Sequence, residues 1–165
     1  MLVNTQDELF IRQAITLANQ ARQAGERPFG AILVINGMVV AEAQDQCRIL
    51  NDPTAHAEIR LISSYCQKNG LFDLTGATLY TCAEPCVMCS GAIKWASISR
   101  VVFSVSQAML QNGSGGRLKP TCYEIVNTGR RHIDVDGLLL VDEGLACYKG
   151  FDFALHRQEI LKSQR

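Results

Sequence analysis

Two short segments of the chain contain residue types that bind zinc. The first segment includes His56, and the second has Cys86 and Cys89 three positions apart, directly after Pro85. Imidazole and thiolate are zinc ligands, and three such ligands with an open fourth position are typical of catalytic zinc. Pro85 indicates a helix start, where the helix dipole lowers the pKa of nearby thiols. The sequence therefore predicts one Zn²⁺ per chain, held by His56, Cys86 and Cys89.

Glu58 follows His56 by two residues. On an ideal helix this separation is about 200°, so Glu58 should not bind the same metal ion. It can still reach a water molecule beside the metal and move its proton. Two alternatives stay open at this point. Cys82 could complete a closed structural site with three cysteines and one histidine, or His56 and Glu58 could be an unrelated helix-cap histidine and a solvated acid.

Hydrophobic periodicity predicts the elements that position these residues. A capping box at Thr5 and Glu8 indicates a first helix, and Asn36-Gly37 predicts a tight hairpin turn between two strands. The pattern further predicts a helix over 55–68, a strand at 77–81, a helix from Pro85 to Ala96, and a strand at 101–105. This order implies a parallel crossover.

The pattern is weaker beyond residue 106. Residues 113–116 predict a surface turn, 121–127 fit either a helix or a strand, 138–141 predict a last strand, and 143–162 are loosely helical. We expect an α/β fold with three layers, α/β/α, around a mixed, mostly parallel five-stranded sheet. One domain over residues 1–165 is expected from the length.

Composition excludes several functional classes. The 165 residues include 16 Lys and Arg against 16 Asp and Glu, which argues against a bulk nucleic-acid binder. Seven cysteines, an odd number, favour reduced thiols over a disulfide framework. The N-terminus lacks the pattern of a signal peptide, and no apolar run approaches 18 residues. These features predict a cytoplasmic protein that does not contact a membrane.

His56-Ala-Glu58 followed by Pro85-Cys-Val-Met-Cys89 resembles the H-x-E…P-C-x-x-C signature of the zinc-dependent cytidine/deoxycytidylate deaminase superfamily. Within it, three segments are most similar to bacterial guanine deaminases and related nucleoside deaminases; they begin at Pro28 (PFGA), Asn51 (NDPTAHAE) and Gly91 (GAIKWA). The tRNA adenosine deaminases share the DPTAHAE run and the Val-Val-Phe strand.

The resemblance implies a cytidine deaminase-like fold, a homodimer, and hydrolytic release of ammonia from an amino-substituted heteroaromatic ring, in a nucleobase or a nucleoside. It implies that Glu58 carries a proton to the ring and then to the departing amine. It further implies that the backbone N–H of Ala57 and the carbonyl of Glu84 bind the substrate. A tRNA adenosine deaminase and a non-catalytic zinc-binding module are the alternatives.

Three side chains are candidates for substrate binding. Asp45 stands where members of the superfamily usually carry Asn, and an ionised carboxylate only accepts hydrogen bonds, so it favours a ring with a donor at that edge. Asp45 could equally be a solvated loop acid. Phe29 and Trp95 could form the aromatic walls of a flat pocket, or belong to the core. The neutral charge favours a small molecule over nucleic acid, whereas basic residues around the pocket mouth would reverse that order.

Overall fold

The computed structural model of the protein describes residues 4–110 and 120–164. Its sheet has five strands: β1 Gly30–Ile35, β2 Met38–Gln44, β3 Thr78–Ala83, β4 Arg100–Val105 and β5 Asp134–Asp136. Their spatial order is β2-β1-β3-β4-β5. β1 is antiparallel to β2 and β3, whereas β3, β4 and β5 are parallel to each other. The predicted mixed five-stranded sheet is confirmed, with parallel pairing confined to the half that carries β3 to β5.

Among the described residues, six α-helices cover the two faces of this sheet: α1 Thr5–Gln23, α2 Ala57–Asn69, α3 Val87–Trp95, α4 Cys122–Val126, α5 Val141–Ala146 and α6 Phe153–Ser163. Successive residues of β1 point to opposite faces, as the strand period requires. Ile32 and Val34 pack in the core that contains α1 and the start of α6, while Ala31 and Leu33 pack in the core that contains α2, α3 and α4. The three-layer α/β/α architecture follows from these two cores.

The capping and turn motifs of the sequence correctly predicted the first helix and the hairpin, with small shifts at the ends of the elements. The capping box of α1 is formed by Asn4 and Asp7, one residue earlier than the predicted pair, because Asn4 accepts the backbone N–H groups of the first turn. Asn36 and Gly37 both have positive φ, which confirms the predicted tight turn of the hairpin. The strand pair β3 and β4, connected through α3, is parallel as expected.

The prediction of a last strand at 138–141 is wrong. Leu138 and Leu140 have positive φ, which a strand does not contain, and the last strand is β5, two residues earlier. Leu139, Leu140 and Val141 pack on the α1 face of the sheet, whereas Leu138 is exposed. The ambiguous segment 121–127 contains α4, and the loosely helical C-terminal region forms α5 and α6. The predicted turn at 113–116 lies outside the described residues.

Within the described ranges, no helix combines the length and the apolar character that crossing a membrane requires.

Candidate active site

The starts of α2 and α3 bring the predicted zinc ligands together. His56 and Cys86 are the N-cap residues of these two helices, both with extended backbone, and Cys89 lies in the first turn of α3. The Nδ1 atom of His56 is 3.6 Å from the Sγ atoms of both Cys86 and Cys89. Typical Zn–N and Zn–S bonds in a tetrahedral site place nitrogen and sulfur about 3.6 Å apart. The three side chains therefore fit a zinc ion.

Cys82 lies elsewhere. It is fully buried in β3, where its Sγ accepts a hydrogen bond from the backbone N–H of Gly30 and lies 3.2 Å from the hydroxyl of Tyr148. Burial raises the pKa of its thiol to about 12. These contacts do not fit the alternative of a closed site with three cysteines and one histidine. Among the described residues, the donor atoms of His56, Cys86 and Cys89 form a group that contains no third cysteine.

Glu58 lies beside the three ligands. It belongs to the first turn of α2, is only 7% exposed, and has Oε2 3.4 Å from Sγ of Cys89. Glu58 also lines a cavity of about 60 Å³ together with His56 and Cys86. A buried carboxyl group next to the three predicted ligands and open to a small cavity can exchange a proton with a molecule bound there.

The ionisable groups of the site shift each other's pKa values. A hydrogen bond from the Cys89 thiol, helped by His56, lowers the pKa of Cys86 to about 4 despite burial. Burial and the nearby Cys86 thiolate raise the pKa of Glu58. For His56, burial lowers the pKa, but the hydrogen bond to Cys86 and the charge of Glu58 outweigh it and raise the pKa. The lowered pKa of Cys86 favours its thiolate, which is the form that binds zinc.

Two further predicted residues line the same cavity. Phe29 forms part of its wall and also packs against Tyr148 and Phe153 in the core. Glu84 also lines the cavity; its carboxylate accepts hydrogen bonds from the backbone N–H groups of Gln107 and Cys122.

Ala57 is the first residue of α2 and is fully buried, and its N–H is one of the amides that a helix leaves without an internal partner. Trp95 is not part of the cavity wall. It lies at the C-terminal end of α3 with 81% of its surface exposed, because the helix carries it away from the cysteines in the first turn.

Asp45 occupies a different position from the one expected. It is fully buried and does not line the cavity; its Oδ2 accepts a hydrogen bond of 2.7 Å from Nη2 of Arg27. Arg27, which sequence reasoning missed, lines the cavity in its place. Gln107 was also missed; its side-chain amide donates to the carbonyl of Pro85 at 2.8 Å and holds the start of the α3 segment. Neither Arg27 nor Gln107 belongs to a sequence motif with the proposed zinc ligands, so the sequence contained no signal for them.

Sequence comparison places this geometry among known proteins. The family model of the cytidine and deoxycytidylate deaminase zinc-binding region matches residues 4–105. The chain is 44% identical over 99 residues to the tRNA-specific adenosine deaminase of Bacillus subtilis (strain 168), covering 60% of this chain and 62% of that protein. It is also 44% identical over 98 residues to the guanine deaminase of the same organism, covering 59% and 63%. The aligned part is thus less than two thirds of either curated relative.

Structural comparison gives a longer match. A solved structure from a study of A-to-I editing by tRNA:A34 deaminases at the wobble position of transfer RNA superposes with a TM-score of 0.73. The match has 34% sequence identity and covers 84% of this chain and 98% of that one. The family model spans more than half of the chain and includes both segments that form the site. The chain therefore belongs to the cytidine and deoxycytidylate deaminase family, as its H-x-E and P-C-x-x-C segments indicated.

Proposed function

We propose that the protein hydrolytically deaminates a small amino-substituted heteroaromatic ring, as a nucleobase or nucleoside deaminase of the guanine deaminase type. The observation that carries this proposal is the convergence of His56, Cys86 and Cys89 at 3.6 Å separations, with the buried Glu58 carboxyl beside them at the wall of a cavity. Three ligands leave one tetrahedral position for a non-protein ligand, which a structural site does not need.

Each residue has a distinct role in this proposal. His56, Cys86 and Cys89 would hold one zinc ion per chain. When bound, zinc supplies a Lewis acid that makes a water molecule acidic near neutral pH. Glu58 takes a proton from the water molecule whose oxygen adds to the amine-bearing ring carbon, and gives it to the adjacent ring nitrogen. It then passes the second proton of that water to the amine, and the carbon–nitrogen bond breaks to release ammonia. The backbone N–H of Ala57 and the carbonyl of Glu84 orient the ring from the ends of α2 and β3.

The experiment that tests this proposal is an ammonia-release assay with the zinc-loaded protein. The panel contains aminopurines, aminopyrimidines, their nucleosides and aminotriazines. Turnover of at least one free ring or nucleoside supports the proposal. Release of ammonia from none of them contradicts it.

One observation favours a second candidate function, tRNA adenosine deamination. A groove of about 450 Å³ adjoins the site through Arg27, and its wall also includes His156 and Arg157 of α6. The guanidinium groups of Arg27 and Arg157 suit the phosphates of a nucleic-acid backbone better than they suit a neutral ring. The acidic Asp52 in the same wall, together with the neutral net charge, keeps the small-ring proposal ahead. Deamination of a tRNA anticodon stem-loop, without deamination of free bases and nucleosides, would reverse the order.

The assembly and the compartment are also proposals. We propose a homodimer, because Phe72 and Trp95 are 86% and 81% exposed, and large exposed apolar side chains often belong to interfaces. Light scattering after gel filtration measures the mass.

We propose a cytoplasmic location, because all seven cysteines are free thiols, as is usual in a reducing compartment.

A further inference from the structure

Arg27 is the one cationic side chain among the described residues that line the cavity beside Glu58, apart from the proposed ligand His56. It also lines the adjoining groove, so it stands between the two spaces. At about 60 Å³ the cavity is smaller than the usual 300–1,000 Å³ of a ligand site. A ring whose amine reaches Glu58 therefore needs more space than this cavity, and the adjoining groove that shares Arg27 with the cavity can supply it.

The guanidinium group of Arg27 is fixed in position by its neighbours. Nη2 donates to Oδ2 of Asp45 at 2.7 Å and to Sγ of Cys47 at 2.8 Å, and Nε lies 3.5 Å from Oδ1 of Asp45. The Cζ atom lies 5.9 Å from the ring centroid of Phe29. A guanidinium fixed in this way loses little conformational entropy when it binds a further acceptor.

The backbone around Arg27 is fixed as well. The carboxylate of Glu26 accepts hydrogen bonds from the N–H groups of Arg48 and Ile49, which ties the β2–α2 loop to the residue before Arg27. The N–H of Asp45 donates to the carbonyl of Phe29 at 2.9 Å. The pair of Arg27 and Asp45 therefore joins two segments that are themselves hydrogen-bonded.

One end of the guanidinium remains available. Arg27 has five N–H donors, and the contacts above use Nε and Nη2. Nη1 has no hydrogen-bond partner among residues 4–110 and 120–164. The side-chain amide of Gln107, which also lines the cavity, already donates to the backbone carbonyls of Glu84 and Pro85. Arg27 is thus a side-chain donor that the cavity wall offers to a substrate, in addition to the backbone N–H of Ala57 at the start of α2.

We infer that Arg27, oriented by Asp45, selects an amino-substituted ring that also carries an exocyclic oxygen, and that the oxygen accepts a hydrogen bond from its guanidinium. This inference rests on the proposed function and names its substrate class. The sequence alone predicted that the Asp45 carboxylate accepts a hydrogen bond from the ring. Because this carboxylate already accepts from Arg27, the group that faces the ring is a donor and not an acceptor. Asp45 is a positioning residue, since it acts through Arg27.

The test uses pairs of rings that differ by one exocyclic oxygen and the ring N–H that accompanies it: guanine against 2-aminopurine, cytosine against 4-aminopyrimidine, and isoguanine against adenine. For each pair the measured quantity is the ratio of kcat/KM with and without the oxygen. The wild-type protein should favour the oxygen-bearing member, and Arg27→Met should lower the ratio about 10- to 100-fold, because a hydrogen bond to a charged donor is lost. Arg131→Met, an exposed arginine far from the cavity wall, is the control and should leave the ratio unchanged.

In Arg27→Met the buried carboxylate of Asp45 has lost its partner, which can unfold the protein, so a second variant is needed. The double variant Arg27→Met/Asp45→Asn removes both charges and should show the same lowered ratio. Asp45→Asn alone should lower the ratio less than Arg27→Met, and it should have no further effect in the Arg27→Met background. Additive effects of the two substitutions would contradict a positioning role for Asp45.

A binding measurement gives an independent readout. Hypoxanthine and purine differ by one oxygen and have no amine to lose, so calorimetry on the zinc-loaded protein compares their dissociation constants without turnover. Hypoxanthine should bind about tenfold or more tightly than purine to the wild-type protein, and about equally to the double variant. Turnover with a ratio that Arg27→Met does not change would overturn this inference alone. No turnover of any ring by the wild-type protein would overturn the proposed function and this inference with it.

Discussion

Glu58 is buried on the first turn of α2, with its Oε2 atom 3.4 Å from Sγ of Cys89, a proposed zinc ligand. Glu58→Gln keeps the size of the side chain but cannot carry a proton. We expect the variant to retain one zinc ion per chain and to lose about 10²- to 10⁴-fold in kcat, the usual contribution of a general acid–base group. Metal analysis and the ammonia-release assay measure the two effects, with Glu159→Gln on exposed α6 as the control. Substantial remaining activity would mean that another group moves the proton.

The cysteines allow a matched comparison at the same scale. Cys86 and Cys89 lie with His56 in the proposed zinc site, whereas Cys82 lies in the core beside Tyr148. We expect Cys86→Ala and Cys89→Ala to leave well under one zinc ion per chain after dialysis, because two remaining protein ligands hold zinc weakly. Cys82→Ala should keep the zinc content of the wild-type protein. Full zinc occupancy in both ligand variants would contradict the assignment.

At the scale of the elements, the close contact of α1 with β1 positions the segment that carries Arg27 and Phe29. A Cβ atom on Gly30 would lie 2.5 Å from the carbonyl oxygen of Ala14 and 2.6 Å from the backbone nitrogen of Ala18. Both are backbone atoms of α1, so the helix would have to move. We expect Gly30→Ala to lower the free energy of unfolding by about 1–3 kcal/mol, as for overpacked cores.

Gly91 in α3 is the control for this prediction. A Cβ atom there meets nothing within 4 Å, so Gly91→Ala should raise the free energy of unfolding by about 0.5–1 kcal/mol through helix propensity. Urea denaturation compares the two variants with the wild-type protein. Equal stability of Gly30→Ala and the wild-type protein would show that α1 can withdraw from β1 without cost.

The elements also show what the sequence could predict and what it could not. Asn36-Gly37 and the proline before Cys86 are local signals, and the structure has a turn and a helix start at these places. The predicted strand at 138–141 is wrong because an apolar run indicates which residues can pack in a core but does not determine the backbone conformation. There the chain passes over the ring of Phe103 at Gly137, and this close approach depends on residues more than 30 positions away.

The same difference between local and distant causes applies to the site. His56, Glu58, Cys86 and Cys89 occur in two compact segments at helix starts, so their types and spacing were sufficient to nominate them. The position of Asp45 was noticed, but its chemistry depends on Arg27, which is 18 residues away in sequence. No spacing rule predicts that pair. Trp95 was predicted from its residue type alone, which does not show that it lies at the opposite end of α3 from the cavity.

At the scale of the whole molecule, one buried cluster of charges joins four elements. Arg100 of β4 donates to both carboxylate oxygens of Asp7 in α1 and to Asp136 of β5, and the hydroxyl of Tyr80 in β3 donates to Asp7 at 2.6 Å. Asp7 is 2% exposed. This cluster lies at the end of the sheet opposite the carboxyl ends of β3 and β4, where Glu84 and Gln107 hold the active-site loops.

Stability should depend on pH through Asp7. Burial alone would raise its pKa, but hydrogen bonds from Arg100 and Tyr80, the N–H of Asn4 and the charge of Arg100 together lower its pKa below the ordinary 3.8. A carboxyl whose pKa is lower in the folded than in the unfolded state stabilises the fold above the unfolded-state pKa, and this stabilisation is lost as the pH falls through the folded-state value. We therefore expect Asp7 to stabilise the protein fully at neutral pH, and less below about pH 4.

Asp7→Asn tests this dependence. At pH 7 the substitution leaves the buried guanidinium of Arg100 with less compensation, so the free energy of unfolding should fall by about 3–5 kcal/mol. At pH 3 the difference between wild-type protein and variant should be smaller, because the carboxyl of the unfolded wild-type chain is then protonated and the advantage of the ionised folded form shrinks. Urea denaturation at both pH values measures it, and Glu8→Gln, an exposed neighbour paired with Arg12 at 3.6 Å, is the control without measurable effect. A difference that is the same at pH 3 and pH 7 would show that Asp7 acts through its shape and hydrogen bonds, with no contribution from its charge.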